Sequence, residues 1–327
     1  HNELFRRGPD ETFGSLADLW QHCQREKDRS RDRWCPPQEL RPKPDGGRLV
    51  LSRRELSAAG SDGASLLNDW SFTQLCGLAG VSKDTVNRLS PQTAAQVFGE
   101  TMPSSNKPLQ VFTEGDLIRS IHGHSYTRLH NADLVTMLRE FAVDFRPPQQ
   151  AGRVTPGATG LYCGEQDLFC FLIDPTGWAE IDGEAFAPGF FVWNSEVGKR
   201  SVGISTFWFQ AVCANHIVWD ATEVTEFTRK HTGKVGEALG DIRRIVEQLV
   251  EKRDSRRDGF IAVMRKAMET SLGSDAEEAT KALAKAGIGK WLAKRALEIA
   301  ETKGRFTIFA LVDALTRLAG ECEFAGE

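Results

Sequence analysis

The stretch from Gly189 to Asp220, GFFVWNSEVGKRSVGISTFWFQAVCANHIVWD, constrains the fold more than any other part of this chain. Phe190 to Trp193 is an apolar run closed by Asn194, Ser195, Glu196 and Gly198. Val202, Ile204, Phe207 and Phe209 follow, and then the run Val212 to Trp219. Short runs of β-branched and aromatic residues bounded by Asn, Ser and Gly predict paired strands. An ordinary core excludes unpartnered polar groups, so the expectation is a buried sheet with polar insertions. Asn194, Glu196 and Asn215, with Ser195 and His216, form the candidate polar cluster at the end of that sheet. The simpler account gives Asn194 to Glu196 to a turn and Asn215 to backbone hydrogen bonds.

The rest of the chain sorts around this stretch into an α+β fold, a central antiparallel β-rich domain with packed helices. Residues 1–60 are expected as an extended or partly ordered arm, with dense mixed charge in REKDRSRDR and four prolines in PPQELRPKPDGG. Trp20 and Trp34 predict that part of it docks. Residues 61–108 read as a helical unit. Leu67, Trp70, Phe72, Leu75, Leu78 and Ala79 recur at helical spacing, Gly80 closes that helix, Ser82 caps the next, and Pro91 opens a third. Its outline resembles a DNA-reading helix-turn-helix, but with only Lys83 and Arg88 basic it reads as packing.

Residues 109–232 form the β-rich core. Strands are expected over Leu109–Phe112 and Ile118–Leu129, a helix capped by Asn131, a hairpin over Leu161–Ile173, and a further strand over Thr222–Thr228. Residues 233–327 are helical: Val235 to about Arg257, Phe260–Leu272, Ala276–Ala286, Lys290–Thr302 and Phe306–Leu318, punctuated by Gly259, Gly273, Gly287 and Gly304.

Composition narrows the function classes. The 327 residues carry a net charge of −4, and no run of about 18 apolar residues occurs, so no membrane span is expected. The first residues hold no apolar leader core, and the scattered cysteines read as buried thiols of a reduced cytoplasm. Seven cysteines without a CxxC pair exclude a zinc ribbon or thioredoxin-type site. Between Arg229 and Arg305 there are 18 Lys and Arg against 12 Asp and Glu, a local +6 in a chain that is acidic elsewhere.

Candidate chemistry is sparse. Val197-Gly198-Lys199-Arg200-Ser201 resembles the end of a phosphate loop, but Trp193 and Arg200 stand where that loop needs a glycine and a hydroxyl. His122 and His124, with His130 nearby, lack a second half-site and read as surface histidines rather than metal ligands. No zinc-protease helix, serine elbow or dinucleotide fingerprint occurs, so no catalytic residue, metal or cofactor is expected. Arg119, His122, His124, Tyr126, Arg128 and His130 alternate along one predicted strand. Such a face suits stacking and phosphate contact with a single strand, or else a plain solvated surface.

The segments FTQLCGLAGVSKDTVNRLSP, YTRLHNADLV, FFVWNSEVGKRSVGISTFWFQAVCANHIVW and ATEVTEFTRKHTG resemble the phage/plasmid-like family of domain-of-unknown-function proteins from bacterial mobile elements. The resemblance spans roughly residues 65 to 320, and NSEVG and the CxN-x-IVW block carry it. It implies a habitat and no catalytic residues. The β-rich middle and helical end are also similar, at the level of fold, to phage single-strand annealing proteins. The resulting expectation is a cytoplasmic, homo-oligomeric protein that binds single-stranded nucleic acid through Arg119, Tyr126, Arg128, Lys199 and Arg200. DNA and RNA are not distinguished. A protein-binding inhibitor of a host defence or restriction system is the first alternative. A metal-dependent enzyme using His122, His124 and a carboxylate is the second.

Overall fold

The computed structural model describes residues 3–52, 63–152, 159–211, 226–302 and 306–319. Two sheets and a C-terminal set of helices make up an α+β fold. The run Val212 to Trp219, with Asn215 and His216, and the start of the strand expected from Thr222 lie outside the described residues.

The first sheet is built on the organising stretch. Glu184–Asn194 (β11) pairs antiparallel with Val202–Gln210 (β12), Phe190 opposite Thr206 and Val192 opposite Ile204. On its other side β11 meets Leu168–Ile173 (β9), and β9 pairs with Leu161–Cys163 (β8) as the expected hairpin. Glu11–Thr12 (β1) adds to β8, Glu226–Arg229 (β13) to β12, and Ala179–Ile181 (β10) to β11. Every residue of β9 is buried because both faces are covered. Leu168, Cys170 and Leu172 join Phe190, Val192, Val202 and Ile204 in one cluster. Phe169, Phe171 and Ile173 join Phe207 and Phe209 in another. A side-chain period of two does this sorting. Each fully buried Leu or Phe contributes about 1.5–3 kcal/mol relative to exposure.

The second sheet has strand order Ser30–Cys35 (β2), Leu109–Glu114 (β6), Leu117–His122 (β7), Ala64–Leu67 (β5), Arg48–Ser52 (β4) and Pro42–Asp45 (β3). It is antiparallel except for the β5–β7 pair. Asp69–Ala79 (α2), Lys83–Val86 (α3) and Pro91–Thr101 (α4) cover one face, with Phe72, Leu75, Val86 and Phe98 against Val111, Ile118 and Leu49. Residues 64–67 are therefore a strand, while Gly80 ends α2 at φ 70° and Ser82 and Ser90 cap the next two helices as expected.

The N-terminal stretch is woven into both sheets rather than held out as an arm. Leu16–Arg29 (α1) buries Leu19 and Cys23 against the first sheet and Asn131–Phe141 (α5), and its end runs directly into β2 of the second. Trp20 Nε1 donates to Thr136 Oγ1 at 2.9 Å. The mixed charges at 25–33 are the solvated face of that helix and an edge strand, the placement charged residues favour.

At the C-terminal end, Ala238–Glu251 (α6) packs Ile242 and Val246 on the first sheet. Arg253–Glu269 (α7) stacks Phe260 on Trp208 at 4.0 Å. The helix expected to run on to Arg257 breaks at Lys252, and Gly259 lies inside α7 instead of ending a helix. A glycine weakens a helix by only about 1 kcal/mol, less than the packing of Phe260 and Met264 supplies. Ala276–Lys285 (α8), Lys290–Glu301 (α9) and Ile308–Ala319 (α10) bury an alanine- and leucine-rich seam between them.

Candidate functional site

Three places gather the groups that sequence reading singled out, or should have. The first is a buried charged hub where the two sheets meet. The β11–β12 turn, Ser195-Glu196-Val197-Gly198, is closed by Gly198 N donating to Ser195 O at 2.9 Å. Gly198 sits at φ 75°, and a Cβ there would come within 2.5 Å of His122 Cε1, so only glycine fits. Glu196, 4% exposed, accepts from Arg119 Nη1 at 2.6 Å and from the Asn131 amide at 2.9 Å. The carboxylate thereby occupies the N-terminus of α5, where the helix dipole favours it. Asn131 is the first residue of that helix rather than its cap; its side chain accepts from Asn194 Nδ2 at 2.9 Å. Asn194 also donates to Leu129 O at 2.9 Å, and Ser195 Oγ donates to Gln166 O at 2.5 Å.

Arg119 is brought here by a β-bulge. Phe112 pairs with Ser120 and Thr113 with Ile118, which leaves Arg119 as the extra residue of β7. At 3% exposure it faces Glu196, with Glu114 at 3.8 Å and Glu26 at 4.0 Å. Tyr126 donates to Glu196 O at 2.9 Å and stacks on His122 at 3.7 Å. Arg128 also donates to Glu196 O, pairs with Asp32 at 2.8 Å and lies 3.5 Å over the Phe112 ring. His122 Nε2 lies 2.9 Å from Val197 O, to which Trp70 Nε1 also donates, at 2.8 Å.

These contacts correct the expectation of an open cationic strand face. β7 ends at His122, and Arg119, Tyr126 and Arg128 turn inward to hold the NSEVG turn. Lys199 stays exposed, 4.9 Å over the Trp70 ring, while Arg200 is half-buried and pairs with Asp167 at 2.7 Å. Asn194 and Glu196 do cluster. His124 is exposed, and His122 is committed to Val197, so the two do not form a metal pair.

Charge states follow the burial. Burial opposes ionisation of Glu196, but Arg119, His130 and the Asn131 amide outweigh it and hold the carboxyl well below its ordinary range. Burial, reinforced by Arg128, lowers His122 to about 4. Burial likewise lowers His231, which stacks on Tyr126 at 5.5 Å, to about 4. Both rings are neutral at physiological pH.

The second place is a cavity of about 210 Å³ beside the hub, lined among others by His22, Glu26, Glu114, Arg119, Cys163 and Glu165. His22 and Glu26 stand one turn apart on α1, and Nε2 is 3.3 Å from Oε1. Cys163 ends β8 beneath them, and its hydrogen bond together with that of Glu26 raises His22 to about 10. Cys163 is itself raised well above an ordinary thiol by its hydrogen bond to Cys23 and by burial.

The third place is on the surface, at the hairpin of α8 and α9. The α8 carbonyls are closed by Gly287 N to Ala284 O at 3.0 Å and Ile288 N to Leu283 O at 3.0 Å, with Gly287 at φ 84°. This is the two-bond glycine stop that sharply reverses a chain. Leu283, Ala293, Ala296 and Leu297 face inward. Trp291 is left 73% exposed, the most exposed large apolar side chain among the described residues. Lys285, Lys290 and Lys294 are exposed around it and form no salt bridge among the described residues. From Ala279 to Leu297 the chain carries five cations and no carboxylate.

Sequence reading missed the second and third places. His22 and Glu26 are four residues apart on a helix, and Lys290-Trp291 with Lys294 sits in an acid-free stretch. Both patterns are visible, but only the fold supplies Cys163. Comparison of the chain with protein-family models, curated proteins and solved structures finds no match.

Proposed function

We propose that this protein binds single-stranded nucleic acid without sequence readout, and does so through the outer face of the α8–α9 hairpin. The carrying observation is Trp291, which stands exposed among Lys285, Lys290 and Lys294 while the opposite face of its helix is buried. An exposed indole beside unpaired ammonium groups is the pairing that stacks bases and neutralises the adjoining phosphates. Base stacking on an aromatic is worth about 1–3 kcal/mol and tolerates any base. The resemblance to mobile-element proteins is what suggests recombination or strand annealing on a phage, plasmid or prophage as the setting of such binding. Several copies side by side would extend the short hairpin site along a strand. Lys199, exposed over the Trp70 ring, serves as a secondary contact. Arg119, Tyr126 and Arg128 serve as framework.

Fluorescence anisotropy with a labelled oligonucleotide, single-stranded and then duplex, tests this across a salt series. Four cations in contact predict a slope of log affinity against log salt of about −3 for a single strand. No change in anisotropy for either form at low salt overturns the proposal.

A further inference from the structure

The cavity beside the hub contains a donor set that the proposed nucleic-acid role does not use. His22 and Glu26 are separated by one helical turn, which puts both side chains on the same face of α1. Cys163 approaches from the first sheet, and one ligand atom from each of the three lies within 4.8 Å of the others. The His22 Nε2 to Glu26 Oε1 separation is 3.3 Å. Two donors at about 2.05 Å from one ion and at a tetrahedral angle stand about 3.3 Å apart.

Two further features at the cluster point to a ligand. Glu26 Oε2 is buried and accepts no hydrogen bond. Asn131 Nδ2 donates to Cys163 Sγ at 3.9 Å. A donor at a sulfur is the kind of support that a metal-bound thiolate receives from its surroundings. Arg119 is a nearby positive charge, but Glu196 neutralises it at 2.6 Å, and Glu114 and Glu165 add negative charge to the cavity wall.

We infer that His22 Nε2, a Glu26 carboxylate oxygen and Cys163 Sγ bind one Zn²⁺ ion, with the fourth position open to the cavity. Sulfur and nitrogen donors select zinc over magnesium or calcium. Three protein ligands with an open fourth site is the arrangement of zinc centres that carry a water or small ligand. On binding, the Cys163 thiol proton, and any proton on His22 Nε2, leave to bulk water. A cavity of about 210 Å³ is of a size for water or a small molecule. None of its lining residues belongs to the α8–α9 hairpin.

The test uses the whole chain, stripped with a chelator and titrated with Co²⁺ and then Zn²⁺. One equivalent of Co²⁺ should bind with a sulfur-to-cobalt charge-transfer band in the near ultraviolet, and Zn²⁺ should displace it. Cys163→Ser should remove that band and weaken Zn²⁺ by more than about a hundredfold, and Glu26→Gln by at least about tenfold. Absence of stoichiometric uptake overturns the inference, as does a charge-transfer band that survives in Cys163→Ser. Gln keeps the size and shape of Glu26, so Glu26→Gln should keep the native near-ultraviolet tryptophan dichroism. If Cys163→Ser fails to fold, unchanged Zn²⁺ affinity in Glu26→Gln overturns the inference by itself.

Discussion

The hub around Glu196 and the face around Trp291 use the same vocabulary, cations beside aromatic rings, for opposite ends. In the hub, Arg119 and Arg128 lie over Phe112, but Glu196 reaches them from the β11–β12 turn and Glu114 and Asp32 from other strands, and the group is buried. On the hairpin, Lys290 and Lys294 flank Trp291, and no carboxylate pairs with them among the described residues. Whether a cation-aromatic pattern is framework or surface therefore depends on what the fold delivers opposite it. Spacing along one strand does not decide the matter.

This contrast is open to experiment: hub variants should change stability and leave binding intact, and hairpin variants should do the reverse. The largest expected effect is that of Glu196→Gln, which leaves the Arg119 charge buried with only its longer contacts. Breaking such a pair costs about 3–5 kcal/mol, to be read as a lower urea midpoint with oligonucleotide affinity unchanged. A loss of affinity without a loss of stability would move Arg119 back to the binding surface. Gly198→Ala comes next, since it combines an unfavourable φ with a contact of 2.5 Å to His122. A cost of about 2–3 kcal/mol is expected in the same melt.

Trp291→Ala should weaken single-strand binding by about 1–3 kcal/mol, roughly five- to 150-fold, while stability moves by less than about 0.5 kcal/mol. Equal affinity in the variant breaks the comparison from the other side. The smallest effect is in acid. His122, which faces Arg128, Asp32 and His231, and His231 itself have folded pKa values near 4 against about 6.5 unfolded. The unfolded chain takes up these protons first, so their contribution is complete above pH 6.5 and is lost as pH falls towards 4. On the order of 1 kcal/mol per histidine should disappear between pH 6.5 and 5. His122→Phe should flatten that slope.

Local chemistry made much of the fold legible. Gly80, Ser82, Ser90 and Pro91 set the ends of α2 to α4 because caps and turns act within a few residues. The β8–β9 hairpin and the clustering of Asn194 with Glu196 were readable for the same reason. Arg119 was misread because a bulge breaks the period of two, and no residue type in Leu117–His122 announces one. Asn131 looked like a cap because its true cap, Glu196, lies 65 residues away. Residues 30–35 and 42–52 looked like parts of an extended arm because charged and proline-rich edge strands carry little hydrophobic signal. The cavity donors were hidden for a similar reason, since Cys163 meets His22 only through sheet pairing.

The weaving of the N-terminal stretch into both sheets also sets a timetable. Glu11 is opposite Cys163, and Ser30 is opposite Glu114. A ribosome adding roughly 5–20 residues per second leaves β1 and the core face of α1 waiting about 8–30 seconds for β8. Until α5 and then β8 have been made, Leu19 and Cys23 lack the partners that bury them. The core face of α1 is thus completed only by segments made more than a hundred residues later.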